Sequence, residues 1–401
     1  MLSYLLVLAV AVLVTAAASY LVLRLAQRFQ LAPEVRERDV HKHPTPRLGG
    51  VAMFVGLLAA FGVAAMLPEF QGLFQADLKM WALIGSCLLI AVIGVLDDLL
   101  DLDWMIKLGA QLLAAGILAW NGVQIVSIPL GDTLIIGSPT VNFVLTVFLI
   151  TLVMNAVNFV DGLDGLVAGV AIIASGTFFV YTLVLSSQLG STQAVIFASL
   201  IALALVGICA GFLPFNWHRA KMFMGDTGAL LVGLLMATST VSVTGELNPA
   251  ALDLKLVIAS YIPILLPIAV LAVPLADFVL AVFRRLLAGK SPFEADRQHL
   301  HHRLLDMGHS PVQAVSIFYL GTAVLAVAGL LVFTSQSFVL PLIVLVVGGI
   351  ACVLLLRFPA ARVRAALAQR RLVALDRRGA PVDAPEAPAG TGGDSDERTS
   401  E

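Results

Sequence analysis

The stretch FVLTVFLITLVMNAVNFVDGLDGLVAGVAIIASGTFFVYTLVL, Phe143 to Leu185, decides the fold. Two apolar runs flank a seam, Asn158 to Leu166, that holds an amide and two carboxylates. Each run has the length and composition of a helix that crosses a bilayer, which needs about 20 mainly apolar residues. Neither run alternates in polarity, as a strand of a membrane β-barrel would.

The same pattern recurs along the 401-residue chain, in windows near 2–24, 48–67, 79–97, 105–120, 138–157, 164–186, 194–212, 227–244, 257–283, 313–333 and 338–356. The expected fold is therefore all-α, a polytopic integral membrane protein with about eleven transmembrane helices. Composition agrees: 59% of residues are hydrophobic and 12% charged, with a mean hydropathy of +0.97, more apolar than a soluble core can use. Three prolines, Pro263, Pro267 and Pro274, should bend the ninth span.

Cations set the orientation. With the N-terminus outside and the C-terminus cytoplasmic, 22 of the 24 lysines and arginines lie inside, leaving only Lys79 and Lys255 outside. The first span has no cation before it and a cationic segment after it, so it reads as an anchor rather than a cleaved signal peptide. The net charge of −2 carries no message about partners, and no nucleic-acid partner is expected. Cys87, Cys209 and Cys352 fall inside expected spans and read as small packing residues. Residues 1–356 form the expected transmembrane domain; residues 357–401 form a cytoplasmic tail, basic and then acidic, expected to be disordered from about Gly379.

In this topology five separated polar motifs share the inner face. They are RERDVHKHPTPRLGG (Arg36 to Gly50), GVLDDLLD with Asp97, Asp98 and Asp101, the Asn158–Leu166 seam, PFNWHRAKMFMGDTG (Pro214 to Gly228), and the segment Arg284 to Leu304 with His299, His301 and His302. Each has a plain structural reading as well as a functional one. Asp161 and Asp164 can merely cap helices, Asp226 can be an N-cap, and the histidines can be incidental to a surface loop. Gly49 and Gly50 suit close helix packing or approach to a phosphate. Carboxylates beside hydrocarbon cost about 2.5–3.5 kcal/mol each at a helix centre and mark substrate or ion paths. Convergence of five motifs on one face favours function.

Asn155, Asn158, Asp161 and Asp164 step by three and would form one stripe if helical; Asp97 and Asp101, at i and i+4, would share a face suited to a divalent metal. Acids for Mg²⁺ and cations and histidines for phosphates, at a membrane boundary, suit a reaction between a soluble diphosphate and a lipid phosphate.

The motifs HPTPRLGG, DDLLD followed by KLGAQ (Lys107 to Gln111), NFVDGLDGL, PFNWHRAKMFMGDTGAL and DRQHLHHRL together resemble the polyprenyl-phosphate N-acetylhexosamine-1-phosphate transferase family. The resemblance spans the first ten expected helices in order. It implies transfer of GlcNAc-1-phosphate from UDP-GlcNAc to undecaprenyl or decaprenyl phosphate in the plasma membrane, with release of UMP and with Mg²⁺ as cofactor, Mn²⁺ being a possible substitute. It further implies that Asp226 is the main metal ligand, with Asp97 and Asp98 near the metal and the attacking phosphate. Asp161 and Asn216 would hold the uracil, Phe223 would stack on it, and Asn158, Asp164, Lys107 and Arg47 would line the same cleft. His299, His301 and His302 would meet the diphosphate or sugar, His302 among the catalytic set. A branch acting on phospho-MurNAc-pentapeptide tends to three adjacent histidines and a DDxxK pattern, where this chain has HLHH and DDLLD. That branch, another HexNAc, and an ion-coupled transporter are the alternatives; a transporter would put its acids near the midplane and show paired halves. The sequence leaves the oligomeric state open, a homodimer included.

Overall fold

A computed structural model describes residues 1–29, 45–75, 78–125, 127–130, 133–244, 307–335 and 337–357. Among these residues the helices are α1 (Leu2–Phe29), α2 (Gly49–Met66), α3 (Pro68–Gln75), α4 (Lys79–Leu100), α5 (Trp104–Trp120), α6 (Pro139–Val160), α7 (Leu166–Leu189), α8 (Gln193–Asn216), α9 (Gly225–Val241), α10 (Pro311–Thr334) and α11 (Val339–Arg357). Eight are long and apolar enough to cross a membrane; α5 and α9, of 17 residues, are apolar but shorter, and α3 is a brief helix between the expected windows 48–67 and 79–97. The chain is a polytopic membrane protein. The expected span at 257–283, the histidine segment and the tail lie outside the described residues.

The expected all-helical chain also carries a β-hairpin between α5 and α6. Strands β1 (Ser127–Leu130) and β2 (Thr133–Ile136) pair antiparallel, with Leu130 opposite Thr133. The dipeptide Gly131–Asp132 between two short apolar runs is a hairpin signal that the search for 20-residue windows passes over.

Burial separates centre from rim. In its most apolar window α8 is 83% buried and α11 only 6%, so α8 is central and α11 faces outward. Every residue of α9 from Thr227 to Val241 is buried, as expected of a helix that is apolar all round. Helix α9 packs on α2, α4, α6 and α8. Close approach explains the Gly49–Gly50 pair: a Cβ on Gly50 would sit 2.2 Å from the Gly228 nitrogen, and one on Gly49 would sit 2.4 Å from the Phe212 ring. The helices run so that the ends of α4, α6 and α8 and the starts of α2, α5, α7 and α9 meet at one end of the bundle, as the side-chain contacts there record.

Candidate active site

The acidic turn after α4 is built by its own side chains. Asp101 closes the helix in the left-handed conformation, φ 55°, which aspartate tolerates better than most residues. Asp101 therefore leaves the helical face it was expected to share with Asp97. Asp97 accepts the Leu102 N–H on Oδ1 at 2.9 Å, and Asp103 caps α5 by accepting the Met105 N–H at 2.8 Å. The second oxygen of Asp97 faces α5. There Lys107 places Nζ 3.1 Å from Asp97 Oδ2 and 3.3 Å from Asp226 Oδ2, joining α4, α5 and α9 through one ammonium. Asn158, near the end of α6, brings its amide to the same Asp226 carboxylate.

Asp98 faces elsewhere. The residue before α9, Met224, supplies no side-chain cap. Asp98 takes that part from a different helix, accepting the Asp226 N–H at 3.0 Å, the Thr227 N–H at 3.3 Å and the Thr227 hydroxyl at 2.8 Å. A carboxylate is favoured there by the positive end of the helix dipole. Gly225 permits this contact: its φ is +70°, and a Cβ would lie 2.2 Å from the Arg47 carbonyl and 2.5 Å from Asp98 Oδ2. Arg47 itself belongs to the segment packed on this turn, where the Phe223 N–H donates to the Pro46 carbonyl at 2.8 Å and the Gly49 N–H donates to that of Phe223 at 3.0 Å.

The expected stripe of polar residues every third position does not continue past α6. Helix α6 ends at Val160 and Asp161 is its C-cap, so Asn155 and Asn158 are helical while Asp161 and Asp164 belong to a turn. Asp161 keeps part of its surface open, yet burial, reinforced by the negative charges of Asp226, Asp98 and Asp164, pushes its carboxyl up to about 7. Asp164 is buried and accepts the Ala220 N–H at 3.1 Å, with His218 Nδ1 at 3.3 Å. Asn216, also buried, accepts the Gly165 N–H at 2.9 Å and donates to the Met222 carbonyl at 3.1 Å. Both ends of its amide thus hold the chain. Phe223 is half-buried. Thus Asp97, Lys107, Asn158 and Asp226 meet around one point, Asp98 orients Asp226 from behind, and Asp164 and Asn216 brace the neighbouring loops. His299, His301 and His302 lie outside the described residues.

Thr227, His218 and the Gln111–Asn155 amide pair, one helical turn deeper than Lys107 and Asn158, were not singled out as site residues. Thr227 follows Asp226 directly and Gln111 closes KLGAQ, so membership of a motif was their available signal. A cleft at the other ends of α4 and α8, lined by Lys79, Gly122, Gln193 and Ser242, has no carboxylate among the described residues of its wall.

The donor set can be tested against Mg²⁺. Among the described residues no three His, Cys, Asp or Glu side chains gather closely enough to hold an ion unaided. The expected trio of Asp97, Asp98 and Asp226 does not close on one point, because Asp98 is drawn to the α9 N-terminus. Two carboxylates that already share a positive charge nevertheless fit Mg²⁺, which is commonly bound through one or two carboxylates plus substrate phosphates.

The family model for "Glycosyl transferase family 4" matches residues 80–244, which hold every element of this cluster except the segment around Arg47. The decaprenyl-phosphate N-acetylglucosaminephosphotransferase of Mycobacterium leprae is 40% identical to this chain over 319 residues, 79% of this chain and 80% of the relative. The chain belongs to glycosyl transferase family 4. Within this family it is also 34% identical to the probable undecaprenyl-phosphate N-acetylglucosaminyl 1-phosphate transferase of Bacillus subtilis, over 75% of this chain and 76% of the relative. The undecaprenyl-phosphate alpha-N-acetylglucosaminyl 1-phosphate transferase of Escherichia coli is 29% identical over 77% of this chain and 78% of the relative. The expected resemblance thus falls on relatives whose names share one reaction class.

Proposed function

We propose that this family member transfers GlcNAc-1-phosphate from UDP-GlcNAc to a polyprenyl phosphate, releasing UMP, at the cytoplasmic face of the plasma membrane. The carrying observation is Lys107 Nζ set between Asp97 and Asp226, on three different helices at one end of the bundle. Relatives named for polyprenyl-phosphate acceptors, similar over most of the chain, supply the reaction class. The inward side follows from the bias of lysines and arginines, with the N-terminus outside and the C-terminus inside.

An oxygen of the lipid phosphate attacks the phosphorus that carries the sugar. The bond from that phosphorus to the bridging oxygen breaks, and the oxygen leaves with UMP. The attacking oxygen is already ionised, so direct displacement needs no protein base. Asp97 and Asp226 would hold Mg²⁺, which when bound supplies neutralising charge to both phosphates. Lys107 swings from the carboxylates to a phosphate oxygen as substrate arrives, and Asn158 keeps Asp226 turned toward the site. Asp98 fixes the first turn of α9 and thereby the direction of the Asp226 carboxylate. Asp161 takes a uracil N–H and Phe223 offers its ring to the base, with Arg47 beside them; His299, His301 and His302 are proposed for the diphosphate and sugar.

The test supplies purified protein with Mg²⁺, decaprenyl or undecaprenyl phosphate and a panel of UDP-sugars, and measures UMP. Release that depends on both the lipid and UDP-GlcNAc is expected. Release with another UDP-sugar only would reassign the donor, and none with any donor would end the transferase reading.

A further inference from the structure

We infer that Tyr319, on α10, is a positioning residue that sets the Asp161–Gly165 turn for the sugar nucleotide; this rests on the transferase reading above. The turn between α6 and α7 is closed locally by backbone bonds from the Asp161, Gly162 and Leu166 N–H groups to the Asn158, Val160 and Leu163 carbonyls, with Gly165 at φ +74°. Further restraint on Gly165 comes from distant residues on both sides of its peptide groups. Its N–H donates to Asn216 Oδ1 at 2.9 Å, and its carbonyl accepts the Tyr319 hydroxyl. That carbonyl already accepts the Gly169 N–H at 3.0 Å, the ordinary partner one helical turn on, so the Tyr319 bond is additional to what α7 needs.

The ring reaches this carbonyl because position 169 has no side chain. A Cβ on Gly169 would lie 2.0 Å from Tyr319 Cζ and from its hydroxyl oxygen. The ring also sits 6.4 Å, centroid to centroid, from Trp217, the residue after Asn216. One phenol therefore touches the turn that presents Asp161 and abuts the loop that continues to Phe223, so a shift of α10 moves both sides of the nucleotide site. Tyr319 lies 154 positions from Gly165 in the chain and beyond the matched residues 80–244. A ring needed only for packing could be phenylalanine, whereas the hydroxyl aims at a backbone carbonyl of the site.

Tyr319→Phe keeps the ring and removes that bond. Loss of one neutral hydrogen bond predicts a rise in KM for UDP-GlcNAc of about three- to tenfold, with kcat within about twofold. Gly169→Ala displaces the ring by a different route and should raise KM at least as much. The double variant should be no worse than Gly169→Ala alone, because both break the same contact. Equilibrium binding of UDP-GlcNAc to detergent-solubilised protein gives a readout independent of turnover, and Kd should follow KM. A purely structural role for the hydroxyl predicts a lower Tm with KM and Kd unchanged; that result, or no change at all in Tyr319→Phe, overturns the inference while an active wild type keeps the transferase reading. Wild-type protein that neither binds UDP-GlcNAc nor releases UMP overturns both.

Discussion

Lys107 occupies the space between two carboxylates that a divalent cation would also use, so its removal should strengthen ion binding and weaken catalysis together. In Lys107→Met the Asp97 and Asp226 carboxylates lose an ammonium at 3.1 and 3.3 Å and face each other with no counter-charge between them. A doubly charged ion about 4 Å from an ammonium is repelled by about 2 kcal/mol in water, and by about four times that at the effective dielectric of a protein surface. The side chains of Lys107 and Asp226 are 26% and 28% exposed, and lysine can swing aside, so the low end applies. Removing Lys107 should then lower the half-saturating Mg²⁺ concentration about five- to thirtyfold, equivalent to about 1–2 kcal/mol. Turnover moves the other way: without the ammonium to meet charge on the transferring phosphate, kcat should fall by about a hundredfold or more. Titration of Mn²⁺ by electron paramagnetic resonance gives the affinity without turnover, and UMP release at saturating Mg²⁺ gives kcat. Unchanged or weaker ion binding in Lys107→Met would refute the idea that ammonium and cation share these carboxylates.

Gly225→Ala forces a side chain at φ +70° into the Arg47 carbonyl and Asp98, so both Tm and kcat should fall; an unchanged kcat in a folded variant would show that the geometry of this turn does not matter to Asp226. In metal-free protein, burial and three neighbouring carboxylates raise Asp161 to about 7, so the folded chain holds a proton between roughly pH 4 and 7 that the unfolded chain does not, and stability falls as pH rises through that window. A cation at Asp226 should expel this proton near pH 7, and indicator dye should record less proton release from Asp161→Asn; equal release would place the titration elsewhere. Asp161→Ala should chiefly raise KM and blur discrimination between UMP and CMP, whereas Asp226→Ala should chiefly destroy kcat; an unchanged ratio of UMP and CMP inhibition constants in the first variant removes Asp161 from the nucleotide site.

The spans were legible because twenty apolar residues have few other uses, and the described helices other than α3 fall on the expected windows. The limits of legibility lie at the helix ends. A spacing of i, i+4 placed Asp97 and Asp101 on one face, but helix continuity cannot be read through a run of aspartates, and Asp101 turned the chain instead. The three-residue step from Asn155 to Asp164 failed where α6 stops at Val160, ahead of the glycines of the turn. Motif membership likewise did not separate roles within a motif. Asp97 and Asp98 are adjacent, but a helix turns by about 100° per residue, so one meets Lys107 and the other the α9 N-terminus. Tyr319 had no signal, since a lone aromatic on an apolar helix looks like core.

Helices α5 and α9 are shorter than the helices around them. Helices of 17 residues rise about 25 Å, against a hydrocarbon core of about 30 Å, while neighbouring α4, α6 and α8 have 22 to 24 residues. These two shorter helices carry Lys107 and Asp226 in their first turns, which meet the last turns of α4 and α6. The charged cluster therefore lies at the helix ends where the loops meet. A soluble diphosphate can approach from that end and meet there a lipid phosphate whose prenyl chain stays in the bilayer. Lengthening α5 by one turn beyond its hairpin end should leave that geometry intact, whereas a turn inserted between Asp103 and Lys107 would lift the ammonium away from both carboxylates and empty the bridge on which the site depends.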